Sequence, residues 1–188
     1  EDGNWTDGCG IGPTGADNAM DVISFSSRGP AAGNRIKPEV IAPGTHIQAG
    51  ASPYSGYDGS GVCDQYRPSG QTTFAASSGT SHSTPAVSGV VSLMYRWLQT
   101  QYADSAPSAA VAKAYLMANP TYLTGVGAND TLPSNKQGYG LPNLGSLFDA
   151  TTARGVVGQS QVFTCTGQTY VWAGRVDVSI KPLRIAMA

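Results

Sequence analysis

Residues 74–99 read FAASSGTSHSTPAVSGVVSLMYRWLQ, and this stretch decides the fold. A run of small residues, Ala75-Ala76-Ser77-Ser78-Gly79-Thr80, leads to Ser81, and Pro85 follows shortly after. Proline is tolerated in the first turn of a helix, where its missing N–H costs nothing. Ala86, Val87, Val90, Val91, Leu93, Met94, Trp97 and Leu98 then leave almost no polar face until Arg96, which predicts a buried helix. Gly89 inside the run predicts close approach of another backbone. Thr72 to Ala76 reads as the strand that feeds this helix. Ser81 therefore stands where an extended segment enters the N-terminus of a helix.

That place suits two roles. Ser and Thr are common helix caps. A nucleophile also fits, because first-turn N–H groups have no partner within the helix and the helix dipole favours negative charge there. An oxyanion formed by attack of the Ser81 hydroxyl would accept a bond from the Ser81 N–H. Spacing alone leaves both roles open.

Composition narrows the class. A length of 188 residues allows one full domain, or a domain plus a fragment. With 12% charged residues, 24 Gly and 12 Pro, the chain is turn-rich and sparsely charged, and its 40% hydrophobic share suffices for a core. Net charge is −1 and no basic stripe exists, so nucleic acid is not an expected partner. No apolar run reaches the length of a membrane span, so no membrane partner is expected either. Cys9, Cys63 and Cys165 are too few and too far apart to imply a zinc site or a disulfide framework. A bridge between Cys9 and Cys63 is open to a secreted protein, and the sequence does not decide it.

Along the chain, residues 1–21 read as loop, Val22 to Ser26 and Glu39 to Ile41 as short strands, and residues 49–71 as a surface loop. A second helix is predicted from Pro107 to Ala118, with Val111 and Tyr115 on one face, and Asn119-Pro120 ends it. Residues 119–140 read as loop and Leu144 to Ala150 as a short helix. From Thr152 onward Gln161 to Thr166, Thr169 to Trp172, Arg175 to Ile180 and Leu183 to Met187 alternate like successive strands. Asp58-Gly59 with Asp64 nearby lacks the remaining ligand pattern of a calcium loop and reads as a solvated turn. No cofactor motif is identifiable, and a structural calcium ion is left open.

Gly79-Thr80-Ser81-His82-Ser83-Thr84-Pro85, followed by Ala86-Val87-Ser88-Gly89, resembles the nucleophile motif of the subtilisin-like serine proteases. The usual form is Gly-Thr-Ser-Met-Ala-x-Pro, so His82 and Ser83 replace Met and Ala. Upstream, Phe25-Ser26-Ser27-Arg28-Gly29-Pro30 and Arg35-Ile36-Lys37-Pro38-Glu39-Val40-Ile41-Ala42-Pro43-Gly44 are similar to the block that precedes that motif in the family. Gly138-Tyr139-Gly140-Leu141-Pro142-Asn143 is similar to the segment that closes the catalytic domain. The family normally carries a further strand and loop before the Phe-Ser-Ser block, and here Ile23 joins Ser24 directly.

The resemblance implies an α/β fold. Residues 1–152 would form the C-terminal portion of the catalytic domain, a partial parallel sheet with flanking helices, and residues 153–188 the truncated start of a β-sandwich. It implies a secreted serine endopeptidase acting on polypeptides, with Ser81 as nucleophile and backbone oxyanion donor. Asn4, in Gly3-Asn4, is the candidate side-chain oxyanion donor. In this family an Asp and then a His precede the Ser. The Asp-Ser-Gly or Asp-Thr-Gly and His-Gly-Thr motifs do not occur here, since Ile47 follows His46 and Ser83 follows His82. The resemblance thus places both upstream of Glu1, leaves the chain alone inactive, and makes the missing N-terminal half its partner. His82 reads as filler of the usual Met site and His46 as a packing or surface residue. The alternative is a non-catalytic remnant or a binding module.

Overall fold

The computed structural model describes residues 5–15, 17–102, 107–158, 162–176 and 183–188. The strand predicted before Ser81 is present as β2 (Phe74–Ser77), which pairs antiparallel with β1 (Ile47–Gly50). Ile47 lies opposite Ser77 and Gly50 opposite Phe74. The other edge of β2 is covered by an irregular segment, with Cys63 and Asp64 bonding Ala76 and the Arg67 N–H bonding the Phe74 carbonyl. A second pair, β3 (Pro120–Thr121) and β4 (Leu141–Pro142), is also antiparallel. Helices and strands are both present, as an α/β chain requires. The parallel sheet implied by the resemblance is not found among the described residues, whose strands pair only antiparallel.

The long helix α1 runs Thr80–Gln101, so Pro85 falls inside it rather than in its first turn. It is not buried all round. Met94 and Leu98 are fully buried, and Val87, Val90, Val91 and Trp97 pack beside them, a stripe at the helical repeat. Leu93 is 58% exposed on the other side, and the Cβ position of Gly89 meets no atom within 4 Å, so no described backbone approaches there. The apolar count passes over the Thr and Ser residues between the apolar positions, which make a polar side. The hydroxyls of Thr84, Ser88 and Ser92 bond the carbonyls of Thr80, Thr84 and Ser88 and are satisfied without a partner element. No helix among the described residues is long and apolar enough to cross a membrane.

Helix α2 (Ala109–Ala118) starts two residues later than predicted, because the Ser108 hydroxyl caps it by accepting the Val111 N–H. Its Val111, Ala112, Tyr115 and Leu116 meet Met94 and Leu98 of α1 and Leu147 of the short helix α3 (Leu144–Leu147). Tyr115 is the hub: its hydroxyl donates to the Leu147 carbonyl and accepts from the Trp97 indole and the Arg154 guanidinium. Residues 119–140, read as plain loop, are held by Gln137, which is fully buried. Its amide accepts from the Leu123 N–H and donates to the Leu123 and Ala128 carbonyls, as a strand neighbour would.

Val22 to Ser26 forms a turn, not a strand, because Asp21 takes the Val22 N–H and Ser26 bonds back to Ile23. Glu39 to Ile41 is extended and pairs with Tyr139 and Gly140 by two backbone bonds, short of a ladder. Beyond Thr152 no strand forms among the described residues; Gln161 and residues 177–182 lie outside them. Phe163, Val171, Trp172 and Ile185 stand exposed. Alternation marks a strand only where a neighbour completes the ladder, and none does so among the described residues.

Glu39 joins the Ile41 segment to α2. Lys113 Nζ lies 2.7 Å from its carboxylate and Lys37 bonds it from the other side. Partial burial opposes the charge, but the two ammonium groups outweigh it and hold the pKa down to about 2. The folded value lies below the ordinary 4.5, so this pair stabilises fully above pH 4.5 and is lost as pH falls towards 2. Both lysines are nearly half exposed, which limits the contribution at neutral pH to about 1 kcal/mol. Lys113→Ala is expected to lower Tm by a few degrees at pH 7 and by much less at pH 2.5, read by thermal melts across pH.

Candidate active site

β2 ends in small buried residues, Ala75, Ala76 and Ser77, which let neighbouring backbone close on both edges. Ser78 and Gly79 then turn the chain into α1. Gly79 has φ 155°, a conformation that residues with a Cβ rarely adopt. Its N–H donates to the Gly44 carbonyl at 2.7 Å, and its own carbonyl accepts the His82 N–H at 3.0 Å. A Cβ on Gly44 would come within 2.4 Å of Ser83 Oγ and 2.9 Å of the Gly79 carbonyl. The Ala42-Pro43-Gly44 turn thus docks directly under the start of the helix. Gly44→Ala is expected to cost about 1–3 kcal/mol through this overlap, measurable as a lowered Tm, and to shift the first turn of α1.

Ser81 occupies that first turn and is exposed. Among the described residues neither its hydroxyl nor its N–H has a hydrogen-bond partner. Pro85 has no N–H to give to the Ser81 carbonyl four residues back, so the first turn is loosely tied within the helix. A groove of about 570 Å³ runs beside it, walled by Thr80, Ser83, Thr84 and Val87 on the helix and by Ser26 and Glu39 opposite. Asn4 lies outside the described residues.

Neither histidine is placed to act on Ser81. His82 follows it on the helix, where adjacent residues diverge by about 100°. His46 is buried and occupied: its ring stacks on Trp5 at 4.3 Å and its Nε2 meets the Ile11 carbonyl at 3.0 Å. It packs, as the sequence predicts.

Around His46 lies a polar knot that the sequence reading missed. The Asp7 side chain is wholly buried. Its Oδ1 accepts the N–H groups of Cys9 and Ile11 at 3.0 and 2.9 Å, and its Oδ2 accepts the Ser78 hydroxyl at 2.5 Å. Ser78 Oγ in turn accepts the His46 backbone N–H at 2.9 Å. Asp7, His46 and Ser78 follow the chain order of a catalytic triad but not its geometry. The serine hydroxyl donates a hydrogen bond to the carboxylate, and the imidazole engages a carbonyl. The signal available in the sequence was Asp7-Gly8-Cys9-Gly10-Ile11, an Asp whose side chain can satisfy N–H groups shortly after it.

Cys9 and Cys63 form a disulfide across this knot. Cys63 Sγ accepts the Ser78 N–H at 3.0 Å, so the bridge touches the turn itself. Asp7, Cys9 and Cys63 present ligand atoms within 4.8 Å of one another, but metals bind thiolates and the bridge consumes both thiols. Asp58 and Asp64 spend their carboxylates on the backbone N–H groups of Ser60 and Gly8.

The family match to known proteins spans this turn. The family described as the Subtilase family matches residues 9–140. Subtilisin-like protease SBT3.10 of Arabidopsis thaliana is 42% identical over 90 residues, which is 47% of this chain and 10% of that protein. C5a peptidase of Streptococcus pyogenes is 31% identical over 129 residues, 68% of this chain and 10% of its own. Serine protease/ABC transporter B family protein tagD of Dictyostelium discoideum is 27% identical over 130 residues, 63% of this chain and 7% of its own. The chain spans about a tenth or less of the length of these relatives.

Proposed function

The chain belongs to the subtilase family, and from that premise we propose that it is the nucleophile-bearing part of a secreted serine endopeptidase. Ser81 attacks the scissile carbonyl of a polypeptide, its own N–H donates to the oxyanion, and water then hydrolyses the acyl-enzyme. The observation that carries this reading is the state of Ser81: exposed, unbonded, and at the N-terminus of a long helix. The protein relatives are named as proteases, which supports the same reaction class.

The base and its orienting carboxylate come from a segment preceding residue 1, because His46 is engaged by Trp5 and the Ile11 carbonyl and His82 diverges from Ser81 on the helix. That segment would add the parallel strands, and it would cover the exposed side of α1 that carries Leu93. Asn4 serves as the side-chain oxyanion donor. Residues 1–152 belong to the catalytic domain and residues 153–188 to a following β-sandwich, whose exposed Phe163, Val171 and Trp172 find their neighbours in later strands. The chemistry draws on no cofactor.

The test is to express the full-length protein, treat it with a fluorophosphonate and map the adduct by mass spectrometry. Labelling at Ser81 is expected. Labelling at Ser77, Ser78 or Ser83, or none, would refute the nucleophile assignment and favour a non-catalytic remnant.

A further inference from the structure

We propose that Asp7 and Ser78 are positioning residues for Ser81, an inference that rests on the reading of Ser81 as nucleophile. Asp7 is a buried carboxylate that meets only donors: two backbone N–H groups and the Ser78 hydroxyl, with His46 Nε2 at 3.8 Å. Burying such a group is costly unless every lone pair is used. Two of the three bonds close a local loop on residues 9 and 11 and serve that loop alone. The third leaves it and crosses to the turn before α1.

Ser78 is the point where that force arrives. Its hydroxyl donates to Asp7 and accepts from His46, and its N–H donates to Cys63 Sγ. Every hydrogen-bonding group of this residue that the structure ties is tied to a different part of the chain. Gly79, next along, is held at Gly44. Ser81 has no side-chain tether of its own, and Pro85 withholds one helical bond from its carbonyl. The location of Ser81 Oγ is therefore set by the backbone clamped at residues 78 and 79. A misplacement of about 1 Å at a reacting atom costs on the order of 100-fold in rate.

A residue that merely holds the domain together would change stability and substrate binding along with turnover. A residue that aims the nucleophile changes the acylation step. The experiment compares Ser78→Ala, Ser78→Thr and Asp7→Asn with wild type in the full-length protein. It measures kcat and KM on a peptide substrate and the second-order rate of fluorophosphonate labelling.

Ser78→Ala and Asp7→Asn are expected to lower kcat and labelling rate together by roughly 10- to 100-fold, with KM within about twofold and the adduct still on Ser81. Ser78→Thr keeps the hydroxyl and is expected to recover most of the rate. Unchanged labelling in Ser78→Ala overturns the proposal. So does loss of a cooperative melt in Ser78→Ala, since the side chain would then hold the domain and not the turn. A rise in KM with kcat intact also overturns it. Wild-type protein that fails to label at Ser81 overturns the nucleophile reading and this inference with it, whereas normal wild-type labelling with indifferent variants overturns the inference alone.

Discussion

Ser81→Ala is expected to abolish peptide cleavage and fluorophosphonate labelling in the full-length protein, lowering kcat on the order of 10⁶-fold, the scale seen when a triad serine is removed. The change deletes one exposed oxygen that has no bond to lose, so the fold and Tm should be unaltered. The neighbouring serines provide internal controls because Ser77 and Ser78 are engaged elsewhere and Ser83 lies on another side of the helix start. Ser77 is buried with its hydroxyl 3.4 Å from Cys63 Sγ. Ser78 is bonded to Asp7 and His46. Ser83 faces Gly44 under the helix. Ser83→Ala should leave cleavage and labelling intact. Turnover that survives Ser81→Ala would show that another group does the chemistry.

Removing the Cys9–Cys63 bridge, as Cys9→Ala with Cys63→Ala, is the change expected to cost most in stability. The bridge closes a loop of 54 residues. Loop-closure entropy for that length amounts to about 4 kcal/mol at 25 °C, which corresponds to a fall in Tm of roughly 10 °C for a chain of this size. The loss of the Ser78 N–H acceptor adds to it. Calorimetry of the double variant against wild type measures this, and a Tm unchanged within two or so degrees would show that the surrounding bonds alone define the knot. Reduction by a dithiol should reproduce the variant, since Cys165, the remaining cysteine, is exposed and unpaired.

What was legible in the sequence was local. Small residues before Ser81 predicted the strand and turn, and β2 and α1 are there. Pro107 marked the start of α2 to within two residues, and Val111 and Tyr115 its buried face. The failures share one cause. Apolar content alone does not say which side of a helix is covered: it predicts α1 buried all round, and only the Val87-to-Leu98 stripe is. Alternation predicts a set of strands after Thr152 but does not supply their partners, and no strand forms among the described residues there. Polar residues that act over long sequence distances left no local pattern. Gln137 imitates a strand edge for Leu123, and Asp7 reaches Ser78 across 71 residues. Of the candidate site, the strand-to-helix turn that carries Ser81 was legible from its frame, and the knot behind it was not.

The distance spanned by that knot has a consequence for how the protein comes into being. The turn before Ser81 is gripped by Asp7, Gly44, His46 and Cys63, segments remote from it in sequence. Contacts of such range form late, because the chain must surrender loop entropy before they repay it. The helix after Ser81 is local and can form early. A newly made chain therefore carries its serine on a helix well before that serine is aimed at anything. On the proposed reading of Ser81 as nucleophile, that serine acquires its aim only with the last long-range closures, after the helix that carries it.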